Sequence, residues 1–61
     1  MTYYMALNKE LSKFISMFYH FADDILMKKF YFKCINHHKA LINSLTAEEA
    51  ALEVDERNFS V

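Results

Sequence analysis

The chain contains neither glycine nor proline among its 61 residues. Tight β-hairpin turns rely on glycine, which adopts positive φ at no steric cost, so a sheet of hairpin-linked strands is disfavoured. Helix interiors need neither residue and are weakened by each of them. Phe30-Tyr31-Phe32 has strand propensity, but no second alternating segment is available to pair with it. The absence of glycine and proline therefore predicts an all-α protein.

The length predicts a single small helical domain over residues 1–61, with about 57–61 frayed. A chain of this size buries only about 60% of the surface that its unfolded form exposes. Cys34 is the only cysteine, so no disulfide within the chain can add stability. Because 54% of the residues are hydrophobic, we expect more apolar surface than one chain can cover. This excess predicts association with a second chain.

The compartment is predicted from what the sequence lacks. The first ten residues have neither the basic start nor the apolar core of a secretory signal. No stretch approaches the roughly 20 apolar residues of a membrane span. A single thiol is typical of a reducing environment. We therefore expect a cytoplasmic protein that does not bind membranes.

Apolar residues in the first part of the chain recur every three or four positions, which places them on one face of a helix. This helix is predicted from about Tyr3 to Ala22. Because further apolar residues widen the face, we expect the row to form the core of a homodimer or a higher homo-oligomer. The row, called the apolar seam below, consists of Leu7, Leu11, Phe14, Phe18, Phe21 and Ile25.

A second apolar row, out of phase with the seam, begins near Met27 and continues to Leu45. One straight helix cannot keep both rows on one face. Either Asp23 or Asp24 caps a new helix, or one helix continues and presents two apolar faces. We favour a break at residues 22–24. The prediction is then a helical hairpin, which a second copy would complete to a four-helix core.

A short third helix is predicted after Thr46. Thr46 and Glu49 have the spacing of a capping box, in which each side chain bonds the other residue's backbone N–H. The helix is expected to run through Leu52 to about Asp55. Residues 1–45 carry a net charge of +3 and residues 46–61 a net charge of −4. This division has two interpretations. The acidic segment lies near the lysines of the same chain or of a neighbouring chain, or the acidic and basic residues form separate faces that are both exposed to solvent.

Chemistry-bearing residues are few. His20, Asp24, Cys34 and His38 are ligand types that zinc accepts, and their spacings would place them in pairs on two helices. Such spacings are common by chance, so no metal or other cofactor is expected, and a zinc-stabilised module is only an alternative. Cys34 near histidines resembles a thiol–imidazole pair, but a small helical chain offers no shielded cleft. We expect no enzymatic activity.

Two kinds of partner remain. The alternative is a small nucleic-acid-binding protein, similar to a transcriptional regulator, that uses the basic stretch from Lys28 to Lys39, although the net charge is −1 and the chain has one arginine. Binding another protein is preferred, so we expect a small regulatory, adaptor or inhibitor protein, by analogy of a phage, plasmid or bacterial type. The partner would contact either the acidic third helix or the stretch of aromatic residues and lysines from Lys28 to Lys33. The residues predicted for these contacts are Lys28, Lys29, Phe30, Lys33, Lys39, Glu48, Glu49 and Glu53.

Overall fold

The computed structural model describes residues 1–59, with side chains described for residues 1–57. Two long helices form a hairpin, and a short third helix follows, so the predicted all-α fold is confirmed. Within the described residues, no helix is both long and apolar enough to cross a membrane. The elements are α1 (Tyr3–His20), α2 (Ile25–Asn43), α3 (Ala47–Ala51) and a 3-10 helix (Glu56–Phe59). The 3-10 helix covers most of the segment predicted to fray, of which residues 60–61 lie outside the described part.

The hairpin turn is built around Asp24. Its Oδ1 accepts hydrogen bonds from the backbone N–H groups of Leu26 at 3.1 Å and Met27 at 3.2 Å. These are donors that the first turn of a helix leaves without partners, so the carboxylate starts α2. The predicted break at residues 22–24 is confirmed, and the alternative of one continuous helix is wrong.

The capping box of α3 is also confirmed. The Thr46 hydroxyl accepts the Glu49 N–H at 3.1 Å, and the Glu49 carboxylate accepts the Thr46 N–H at 3.0 Å. The predicted length of this helix is wrong, because α3 ends at Ala51 rather than near Asp55. Leu52 adopts an extended conformation, with φ −58° and ψ 134°.

The extended residues after α3 pair with the start of the chain. The Leu52 carbonyl accepts the Tyr3 N–H at 2.7 Å, and the Met1 carbonyl accepts the Val54 N–H at 2.9 Å. An isolated antiparallel bridge joins Thr2 to Glu53 between these bonds. The Tyr3 N–H is one of the donors that α1 cannot satisfy itself. Residues 1–3 and 52–54, called the clasp below, therefore gain backbone bonds that would be lost if α3 continued.

The molecule is one helix layer thick. Its Cα atoms span 39 × 23 × 12 Å, and its radius of gyration is 12.7 Å, against about 10.5 Å for a compact domain of this length. Among residues 1–57, only Ala6, Leu7, Ile35 and His38 are buried. The remaining core is a half-buried aromatic contact between the helices, in which the Tyr31 ring stacks on Phe21 at 5.9 Å between centroids.

Candidate binding surface

The apolar seam lies largely inside the hairpin. Leu7 is only 2% exposed, and Phe14 and Phe21 contact Tyr31 of α2. Ile25, by contrast, is 68% exposed at the start of α2. The proposal that the seam forms a self-association core stays a prediction, but much of it is already occupied within one chain. Only the end of the seam near the hairpin turn is open to a partner.

A polar pair, in which His38 is buried and Glu10 is half-buried, links the two long helices. His38 Nε2 lies 2.9 Å from Oε2 of Glu10 in α1. The contact is short, but it does not have the alignment of a hydrogen bond. The imidazole also meets the edge of the Phe14 ring at 5.1 Å between centroids. His38 therefore belongs to the packing between α1 and α2.

The four candidate zinc ligands do not assemble. The described residues contain no group of three or more His, Cys, Asp and Glu side chains able to hold a metal ion. His38 contacts Glu10, Asp24 caps α2, and His20 meets the edge of the Phe21 ring at 4.8 Å. The hairpin therefore gives His20, Asp24 and His38 separate local roles.

Many large apolar side chains remain exposed. A layer made of two helices has two broad faces, and α3 packs against α1 alone, so it covers only part of one face. Exposed apolar surface of this extent is typical of an interaction site. The exposed large hydrophobic residues among those described are Tyr4, Met5, Ile15, Tyr19, Ile25, Leu26, Phe30, Phe32 and Leu52.

Three of the predicted contact lysines surround one apolar groove near the hairpin turn. The groove has a volume of about 410 Å³, within the roughly 300–1,000 Å³ of small-molecule sites. Its apolar floor and basic rim are called the lysine groove below. The floor consists of Phe18, Ile25 and Phe32, and the rim of Lys28, Lys29 and Lys33.

Helix phase decides which predicted residues reach the lysine groove. Phe18 and Phe32 face each other across the hairpin, with ring centroids 6.2 Å apart, and Lys28 Nζ lies 5.3 Å from the Phe18 centroid. Phe30 and Lys39 do not line the groove. The sequence interpretation missed Phe32 as a contact residue, although its spacing from Lys28 and Lys29 places it on their face of α2.

The acidic segment packs on α1 rather than on the lysines of α2. Glu56 Oε1 lies 2.7 Å from Lys9 Nζ, and Glu53 lies 3.3 Å from the N-terminal amine. The acidic segment therefore lies near one lysine of the same chain, Lys9. The predicted contact residues Glu48, Glu49 and Glu53 lie apart from the lysine groove.

Three carboxyl groups of this acidic segment have a lowered pKa. A hydrogen bond from Lys9 lowers the pKa of Glu56, and hydrogen bonds from Arg57 lower the pKa of Asp55. The Thr46 backbone N–H lowers the pKa of Glu49. Because these pKa values are lowered in the folded chain, the ionised carboxylates stabilise the folded state at any pH above their ordinary pKa values. This stabilisation is lost as the pH falls through the lowered pKa.

We expect acid to loosen the contact between the 3-10 helix and α1. NMR titration should show the Glu56 carboxyl protonating below its ordinary value of 4.5, because Lys9 stabilises its charged form. The variant Lys9→Gln should move the Glu56 midpoint up toward that value and leave Glu49, bonded to Thr46, unchanged. Identical Glu56 midpoints in the two proteins would contradict the ion pair.

Comparison with protein-family models, with curated proteins and with solved structures gives no match for this chain. The fold defines it as a small all-α protein, a helical hairpin with a short third helix. The exposed apolar surface and the lysine groove are therefore the features that bear on its function.

Proposed function

We propose that this chain is a small non-enzymatic regulatory or adaptor protein that acts by binding proteins, including a second copy of itself. Inhibition of a larger complex is one form that this activity would take. The observation that supports the proposal is the imbalance between exposed and buried apolar residues. Nine large hydrophobic side chains are exposed among those described, whereas the buried apolar core is Ala6, Leu7 and Ile35.

The total surface gives the same indication. The chain exposes 4647 Å², whereas a folded monomer of this mass is expected to expose about 4,200 Å². A second hairpin packed against the open face would remove apolar side chains from water and complete a four-helix core. Each square ångström of apolar area covered contributes about 25 cal/mol, before the cost of association is subtracted.

Sedimentation equilibrium tests this proposal. We expect the wild-type chain to associate as its concentration rises into the high micromolar range. Ile15→Lys should weaken association at least tenfold, because it places a charge on an exposed apolar position of α1, while Ser16→Lys adds the same charge on a polar position of the helix. A wild-type monomer at every concentration would remove self-association from the proposal.

Nucleic-acid binding is the second candidate function, favoured by the clustering of Lys28, Lys29 and Lys33 around one groove. Phosphate contacts by lysines make affinity fall steeply as salt rises. A salt titration with generic duplex DNA tests this candidate. Absence of binding even at low salt would eliminate it.

A further inference from the structure

We infer that the lysine groove binds an acidic amphipathic segment of another protein. The apolar side chains of that segment would cover the floor, and its carboxylates would meet the rim. This inference rests on the proposed function, because it names the chemistry of the partner. Three features support it: the charge of the rim, the exposure of the floor and the position of the chain's own acidic residues.

The charge of the rim selects an anionic partner. Three lysines line the groove, and no carboxylate is among the described side chains that line it. Asp24, which precedes Ile25 of the floor, accepts hydrogen bonds from two backbone N–H groups of α2. An opposing row of glutamates or aspartates would form ion pairs at the rim and exclude partners that carry lysines there.

The floor of the groove selects apolar side chains. Phe32 is 54% exposed and Ile25 is 68% exposed, so a partner can remove much of both from water. A helix lying in a groove makes such contacts with residues spaced by three and four positions. The three lysines can also pack their aliphatic stems on the partner while their charges stay at the rim.

A protein segment fits this floor better than a nucleic acid. Bases bind single-strand sites by stacking on exposed aromatic faces. Lys28 Nζ lies over the Phe18 ring at 5.3 Å from its centroid and so occupies one face of that ring. No arginine, the usual reader of guanine, lines the groove among the described side chains.

The chain's own acidic segment is held away from the lysine groove. The clasp and the Lys9–Glu56 ion pair hold it along the N-terminal half of α1. Phe18 lies in the last turn of α1, nine residues after Lys9 and therefore about 13 Å farther along the helix axis. The occupant must therefore come from another chain.

Fluorescence anisotropy with the full-length protein tests the inference. The probe is a fluorescein-labelled helical peptide with leucines along one face and glutamates on its flanks. A second peptide carries lysines in place of the glutamates. We expect saturable binding of the acidic peptide and at least tenfold weaker binding of the basic one, because the rim repels it.

Two matched pairs of variants locate the site. The double variant Lys29→Gln with Lys33→Gln should lower the affinity for the acidic peptide roughly tenfold, which is within the range of two exposed ion pairs. The control double variant, Lys13→Gln with Lys39→Gln, should change that affinity less than twofold. Phe32→Ala should also weaken it tenfold or more. Its control is Phe30→Ala, since Phe30 is 55% exposed and lies outside the groove. Circular dichroism should give all variants the wild-type helix content.

The outcomes are distinct. Loss of binding confined to the Lys29/Lys33 and Phe32 variants supports the inference. Equal losses in the control variants, or tighter binding of a labelled DNA duplex or single strand than of the acidic peptide, would overturn it. No peptide binding by a chain that still self-associates would overturn this inference and leave the proposed function in place.

Discussion

Leu7→Ala is expected to lower the free energy of unfolding by about 2–4 kcal/mol, as large-to-small changes in a core do. Leu7 is the most completely buried large side chain of the described residues, with 2% exposed. Small single-core domains have roughly 3–5 kcal/mol of stability in total. The variant should therefore lose most of its stability. Urea denaturation followed by circular dichroism measures the change.

Ile15→Ala is the matched control for Leu7. It also removes an aliphatic side chain from α1, but from a position that is 36% exposed. We expect a loss below about 1 kcal/mol, since much of this side chain is hydrated before the change. Equal losses in the two variants would show that Leu7 is not the centre of the core.

Glu10→Leu is expected to destabilise the fold by about 1–3 kcal/mol, because it removes the carboxylate in contact with a buried polar group and puts an apolar side chain in its place. The group is His38 Nε2, which lies 2.9 Å from the Glu10 carboxylate in the wild type. Its surroundings are apolar, with the Phe14 ring against the imidazole. The midpoint of urea unfolding, compared with that of the wild type, measures the effect.

The double variant Glu10→Leu with His38→Leu should recover most of that loss. Replacing both members of a buried polar pair with apolar residues of similar volume is often neutral or stabilising. The two changes together should therefore cost less than the sum of the single changes. Additive effects would indicate that Glu10 and His38 stabilise the hairpin independently.

Local capping chemistry made the helix starts predictable from the sequence. Asp24 and Thr46 each satisfy backbone N–H groups within three residues of themselves. Interactions of that range depend only on the order of a few side chains. The same holds for the hairpin, whose two apolar rows change phase a few residues after the turn.

The clasp could not be predicted in this way. It joins residues separated by about fifty positions through backbone groups, which every residue carries, so side-chain pattern gives no signal for it. The sequence therefore suggested a longer α3. The end at Ala51 follows from hydrogen bonds that become available only once α1 has been placed.

The candidate site was predicted in part. Lys28, Lys29 and Lys33 were named as contacts, and the hairpin brings them around one groove. Phe30 was named with them but does not line the groove, and residues on one helix face recur every three or four positions. Applying that spacing identifies Phe32 instead. Phe18 is supplied by α1, so its part in the groove required the tertiary arrangement.

The clasp also bears on the order in which the protein assembles. The hairpin contacts form across a short turn, whereas the clasp closes a loop that includes nearly the whole described chain. Loop-closure entropy makes such distant pairing the later event in folding. The clasp consists of few backbone bonds at an exposed end, so it is also the first part to open. Its opening would release the acidic segment from α1 while the α1–α2 hairpin, and with it the lysine groove, stays assembled.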